Sequence, residues 1–262
     1  MSTLQIQDVT MGYVSKKEAT LALDSITLTV QDGEFVSLLG PSGCGKTTLL
    51  SLIAGLLRPT NGHITLGGLD ITDVKKQTDA TIGYMLQQDY LFPWRTIEDN
   101  VILGQKILGN YSEQSRQVAL NWLAKIGLED KREFFPNQLS GGMRQRVALV
   151  RMLATNPSLM LLDEPFSALD YQTKLKLEDL VYQTLKSEKK TAILVTHDIE
   201  EAIAMSDRVI LLSPRPGRIH YIFDMPSEIT QLKPFQARQH PMFTKQFQQI
   251  WKEMERFEST TT

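Results

Sequence analysis

One stretch of eight residues restricts the fold of this chain more than any other: GPSGCGKT, residues 40–47. It is preceded by FVSLLG, a continuous apolar run of the kind a strand buried on both faces requires. It is followed by TTLLSLIAGLL, which reads as a helix. Strand, glycine loop and helix in that order form the setting in which backbone N–H groups converge on phosphate oxygens. The stretch therefore predicts an α/β core with a phosphate cradle between a buried strand and the helix after it.

The chemistry follows from the residue types. Gly40, Pro41, Ser42, Gly43, Cys44 and Gly45 form the loop, whose glycines let the backbone curl around an anion. Lys46 adds a positive charge for the β- and γ-phosphates, and the hydroxyl of Thr47 can ligate Mg²⁺. Cys44 fills a permissive position and is not expected to be a nucleophile. A second apolar run, SLMLLDEP at residues 158–165, ends in Asp163 and Glu164. A carboxylate at the end of a buried strand is costly unless it serves an ion. Mg²⁺ held with Thr47 and the phosphates would be that ion, and Glu164 would polarise an attacking water. LSGGMRQR, residues 139–146, is a second anion-binding pattern: a serine and two glycines directly before a helix.

The rest of the chain frames these motifs. Leu4, Ile6 and Val9 mark a first strand, and Ile26, Leu28 and Val30 alternate with polar residues in a second. GHITLGG and TIGYMLQ (residues 81–87) read as further strands. The block from about 88 to 157 changes character to helical. There Val118, Trp122, Leu123 and Ile126 mark one face and Gly127 a C-terminal cap. TAILVTH, DRVILLS and the strand after PRPG resume the α/β pattern, with a helix through Leu177, Leu180, Val181 and Leu185 inside it. Near the C-terminus Phe243, Phe247, Ile250, Trp251, Met254 and Phe257 form one helical stripe.

Composition narrows the function classes. The chain has 262 residues, 28 basic against 30 acidic, so no broad basic face for nucleic acid is expected. Its single cysteine excludes an internal disulfide, which fits a reducing compartment. The N-terminus lacks a signal-peptide pattern, and the longest apolar run, LLSLIAGLL, is too short to span a bilayer. A cytosolic chain able to dock on a membrane protein is the expectation.

Taken together, in order and spacing, these elements resemble the ATP-binding cassette (ABC) family from Tyr13 to about Phe223. Tyr13 resembles the aromatic residue that stacks on adenine. Residues 40–47, with Thr48 after them, resemble the Walker A loop. Gln87 falls where the family's Q-loop glutamine touches Mg²⁺ and the attacking water. LSGGM resembles the family signature, with Met143 where glutamine is commonest. LMLLDE resembles Walker B with its catalytic glutamate, SALD the D-loop, and His197 the switch histidine that contacts the γ-phosphate. The resemblance implies a P-loop NTPase (RecA-like) core, an N-terminal antiparallel β subdomain and a helical subdomain inserted at about 88–157. Residues 1–223 would be the nucleotide-binding domain and 224–262 a helical extension packed on it.

It also implies ATP and Mg²⁺ as cofactors, with Lys46, Gln87, Glu164 and His197 catalytic and Thr47, Gln87 and Asp163 at the metal. Ser140, Gly141, Gly142 and Asp170 would act across a dimer of two copies, gripping the partner's ATP. Leu91, Phe92, Pro93 and Trp94 would be exposed and meet a transmembrane permease. FPWRT, LSGGMRQRVAL, DEPFSALD and SPRPGRI together resemble the nitrate/sulfonate/taurine importer group. The implied role is the ATPase subunit of a binding-protein-dependent importer, peripheral on the cytoplasmic face of the membrane. A solute-binding protein would be an indirect partner, and nucleic acid none. An ABC ATPase working on nucleic acid or the ribosome, and one serving export or lipoprotein release, are the alternatives. LSGG and SALD argue against a P-loop kinase, which needs neither.

Overall fold

The structure is a computed structural model that describes residues 3–14, 19–72 and 82–259. Thr81, the expected start of one strand, lies outside the described residues. Strands β1 (Leu4–Val14), β2 (Ala19–Val30), β4 (Asn61–Leu66) and β5 (Leu69–Asp70) pair antiparallel in the order β2-β1-β4-β5. The second sheet has the order β10-β9-β3-β8-β7-β6 among the described residues. Its strands are β3 (Phe35–Leu39), β6 (Ile82–Met85), β7 (Leu159–Asp163), β8 (Thr191–Val195), β9 (Arg208–Leu212) and β10 (Ile219–Asp224). All its pairings are parallel except that of β10 with β9.

The parallel strands are buried on both faces, and their period of two sorts the side chains into two cores. Val36, Leu38, Leu159, Leu161, Ile193, Val195, Ile210 and Leu212 join one cluster with the antiparallel sheet and helix α1 (Lys46–Ile53). The alternate residues, Phe35, Leu39, Met160, Leu162, Ala192, Leu194, Val209 and Leu211, join the helices on the other side. Each of the larger buried side chains contributes roughly 1.5–3 kcal/mol, and a one-residue slip of a strand would send its side chains into the wrong core.

Between β6 and β7 stand α2 (Ile97–Ile107), α3 (Glu113–Lys125) and α4 (Gly141–Leu153), which pack on one another. Trp122, Leu123 and Ile126 are buried as expected, but Val118 is 46 % exposed and Ala119 takes its place in the core. Ile126 caps α3, and Gly127 follows in the left-handed region at φ 70°. After β7 come α5 (Tyr171–Ser187) and α6 (Ile199–Met205). After β10 come α7 (Ser227–Thr230), α8 (Pro234–Ala237) and α9 (Pro241–Ser259). Helix α9 packs on α6 and α8 on α5. Phe243 and Ile250 are fully in the core, whereas Trp251 of the same stripe is half-exposed and stacks on Phe247. No helix among the described residues is long and apolar enough to cross a membrane.

Candidate functional site: a phosphate-loop cavity

Loops after five parallel strands, β3, β6, β7, β8 and β9, meet at the carboxyl end of the sheet, where open α/β sheets hold their ligands. They border a cavity of about 650 Å³. Ser42, Gly43, Gly45, Lys46, Thr47 and Thr48 line it together with Tyr13, Gln87, Glu164 and His197. Gly40, Pro41 and Cys44 lie beneath. The Lys46 ammonium donates to the carbonyls of Gly40 (2.7 Å) and Pro41 (3.0 Å), and the lysine is 8 % exposed. The Cys44 thiol is buried in the apolar core, and burial raises its pKa, against the pull of Lys46. Gly45 needs to be glycine: it sits at φ 101° and a Cβ there would come within 2.6 Å of Leu23. Helix α1 starts from it with no side-chain cap, so its first N–H groups face the loop unclaimed by any side chain.

Two side chains from separate loops converge on the Glu164 carboxylate. Gln87 donates to Oε2 at 3.0 Å, and His197 Nδ1 lies 3.1 Å from Oε1. Glu164 itself is held at φ 49°, with its N–H bonded to the Val195 carbonyl at 2.9 Å. Such a conformation is unfavourable for a non-glycine residue and is retained where the surroundings enforce it. Asp163 is 2 % exposed. Burial raises its pKa, opposed by a hydrogen bond from Thr47 and the charge of Lys46. Its Oδ2 is buried with no hydrogen-bond partner among the described residues. A buried orphan acceptor beside a threonine hydroxyl fits a divalent cation of the Mg²⁺ kind, which takes one or two protein oxygens plus phosphate oxygens. Among the described residues there is no cluster of three or more His, Cys, Asp or Glu that would make an all-protein metal site.

Tyr13 is 44 % exposed and its hydroxyl lies 3.4 Å from Thr48 Oγ1. Ser140, Gly141, Gly142 and Asp170 do not border this cavity. Ser140 caps α4, accepting from the Met143 N–H at 3.3 Å, and Asp170 caps α5, accepting from the Thr173 N–H at 3.0 Å. Hydrogen bonds from the Thr173 side chain and then its N–H hold the Asp170 pKa below the ordinary value. The segment after Gln87 differs from expectation at two residues, since Phe92 is half-buried as well. Leu91 is 7 % exposed and belongs to the core, whereas Trp94 is 71 % exposed and meets Phe92 edge-on at 5.5 Å. Asn100 explains the difference: its side chain accepts from the Phe92 N–H (2.8 Å) and donates to the Phe92 carbonyl (3.2 Å), pinning the chain so that Leu91 turns inward.

Two residues that motif reading passed over join the site. Gln145 is 4 % exposed. It donates to the Glu164 carbonyl at 3.0 Å and accepts from the Ala168 N–H at 2.9 Å, tying α4 to the loop after β7. Its signal was an amide four residues before Leu149, on the apolar stripe of a helix. Arg215, from the SPRPGRI stretch, also lines the cavity.

A nucleoside-triphosphate pocket on a P-loop α/β fold is thus the class that fold and site define. The profile of the ABC transporter family matches residues 23–167, and the chain belongs to that family. It is an ATP-binding, ATP-hydrolysing cassette. It is 56 % identical, over 98 % of each chain, to the uncharacterized ABC transporter ATP-binding protein YtlC of Bacillus subtilis. It is 39 % identical to the taurine import ATP-binding protein TauB of Roseobacter denitrificans, over 95 % of this chain and 93 % of that one. Among solved structures it resembles the cassette MJ0796 in a dimeric post-hydrolysis state bound to ADP and Pi. There the TM-score is 0.76 at 33 % identity, over 86 % of this chain and 99 % of the other.

Proposed function

We propose that this cassette powers a binding-protein-dependent importer of a small solute, of the nitrate/sulfonate/taurine kind. It would work as a pair of copies on the cytoplasmic face of a membrane, bound to transmembrane permease subunits, with a solute-binding protein as an indirect partner. The carrying observation is the convergence of Gln87 and His197 on the one carboxylate of Glu164 beside the phosphate loop. Likeness to a taurine import protein over nearly the whole length supports import over export and over work on nucleic acid.

In this reading residues 1–223 are the cassette, with the helical insertion at about 88–157, and residues 224–262 are an extension packed on it. Tyr13 stacks on adenine. The N–H groups of the loop and Thr48 hold the phosphates, and Lys46 neutralises their charge. Thr47, Asp163 and Gln87 would hold Mg²⁺, which supplies charge neutralisation of the polyphosphate. Glu164 takes the proton of the attacking water as general base, and His197 positions the γ-phosphate. Ser140, Gly141, Gly142 and Asp170 meet the ATP held by the second copy. Exposed Pro93 and Trp94, with half-buried Phe92 beside them, offer the permease an aromatic edge; Leu91, being buried, drops out of that surface.

Glu164→Gln tests this. The variant should bind ATP but turn it over on the order of 10²–10⁴-fold more slowly, the usual worth of a positioned base. With ATP present it should accumulate as a dimer by light scattering. Near-normal turnover, or a monomer that binds ATP without associating, would sink the reading.

A further inference from the structure

SPRPGRI carries two arginines with opposite fates. Arg218 is neutralised: its Nε lies 2.8 Å from the Asp24 carboxylate. Arg215 has no carboxylate partner among the ion pairs of the described residues, and its side chain borders the phosphate-loop cavity. The loop that carries it is built against the phosphate loop. Gly217 donates its N–H to the Ala22 carbonyl (2.9 Å), and its carbonyl accepts from the Asp24 N–H (2.9 Å). A Cβ at Gly217 would overlap the carbonyl oxygen of Cys44, so the two loops touch backbone to backbone. Ser213 closes the turn, its hydroxyl accepting from the Arg218 N–H at 3.0 Å. At the tip, Arg215 Nε points to the Gly43 carbonyl at 3.4 Å, too long to hold the guanidinium by itself. The other charged groups on the cavity wall are otherwise engaged: Lys46 donates to loop carbonyls, and Glu164 accepts from Gln87 and meets His197.

We infer that Arg215 is a nucleotide-binding residue that supplies a second positive charge to the polyphosphate from outside the phosphate-loop motif. Its neighbour is Gly43 of the phosphate loop, so phosphate is the ligand its charge would meet. A guanidinium suits that role, since its fork donates two hydrogen bonds to a phosphate and stays charged at any physiological pH. The inference rests on the reading of this cavity as the ATP site.

A charge series in the full chain tests it: Arg215→Lys, Arg215→Met and Arg215→Glu, each titrated with ATP and ADP at low and high ionic strength, with thermal unfolding as a check. Wild-type binding establishes the site itself, so failure of the cavity reading and failure of this inference are distinguishable. ATP affinity should fall in the order Arg, Lys, Met, Glu. Methionine should lose about three- to tenfold, the worth of one charge-assisted contact at an exposed position. The loss should be larger for ATP than for ADP and shrink at high salt. Unchanged affinity in all three variants would overturn the inference. So would equal, salt-independent losses for Met and Glu, because Arg215 would then merely prop Gly43.

Discussion

Two glycine-rich helix starts in this chain look alike in sequence and differ in three dimensions. The phosphate loop leads into α1 without a side-chain cap, with Lys46 beside it and a cavity of about 650 Å³ in front. The LSGG segment leads into α4 with Ser140 already capping one N–H. Its nearby Arg144 is spent on Asp89 at 2.9 Å and on the Leu139 carbonyl at 2.9 Å. The first has a lysine held only by neutral groups of its own loop, whereas the second has N–H groups and an arginine already paired with a carboxylate. Its two glycines also differ. A Cβ at Gly142 would come within 2.9 Å of the Ala168 carbonyl, so this glycine serves the chain's own packing. A Cβ at Gly141 would meet nothing nearer than Arg144 at 3.9 Å, and Gly141 is exposed. Its lack of a side chain serves nothing inside this chain, which supports the reading in which a second copy's ATP is pressed against it.

The largest effect expected at either helix start is that of Lys46→Ala. It should lower ATP turnover on the order of 10²–10³-fold and weaken nucleotide binding with it, as loss of a preorganised positive charge does. Intact turnover in a steady-state assay would dissolve the distinction between the two starts. Gly141→Asp sharpens the comparison. Turnover should fall about a hundredfold while ATP binding by the isolated chain changes less than about threefold, because the added carboxylate repels a phosphate held by another copy. Parallel losses of binding and turnover would make LSGG a support of the first site. Gly142→Ala should instead act on the fold, destabilising it by about 1–3 kcal/mol through overpacking. Melting should register that as a drop of roughly 2–4 °C per kcal/mol. If Gly141→Asp lowers the melting temperature as much as Gly142→Ala does, the inward and outward assignments are wrong.

The smallest effect concerns the back of the site, where α5 meets the C-terminal extension. Glu178 is fully buried, and its Oε2 lies 2.8 Å from Arg238 Nη2. Lys174 (3.9 Å) is the second cation, and Glu201, itself paired with Lys174 at 2.7 Å, is the nearby acid. Burial pushes the Glu178 pKa from 4.5 up to about 7, against the pull of Arg238. Between those values the folded chain keeps a proton that the unfolded chain releases, so stability falls as pH rises from about 4.5 to about 7 and is level above. Glu178→Gln should reduce the difference in melting temperature between pH 5 and pH 8. An unchanged difference would show that Glu178 does not carry the slope.

Much of the nucleotide site was legible because its chemistry is local. A phosphate loop needs its glycines, lysine and threonine in consecutive positions, and the apolar runs ending in Asp163 and before His197 announce their strands by composition. The buried face of α9 was readable from the spacing of Phe243 and Ile250. Leu91 and Val118 were misread because an apolar residue near a helix or loop carries no mark of which way it turns; Asn100 and the packing at Ala119 decided that. Gln145 and Arg215 were hidden for a related reason. Their partners, the Glu164 carbonyl and the rim of the phosphate loop, are distant in the chain.

By itself, then, the sequence determined the strand–loop–helix cradle, where the buried strands fall along the chain and which residues are proposed to handle phosphate. All of these follow from nearest-neighbour backbone geometry and the period of apolar residues. Only the tertiary structure decided that Gln87 and His197 meet on Glu164, that Asp163 keeps a buried oxygen free, and that Gly142 packs inward while Gly141 faces out. Those depend on which strands lie side by side in the sheet, and that order is set by the packing of two cores rather than by any residue's immediate neighbours.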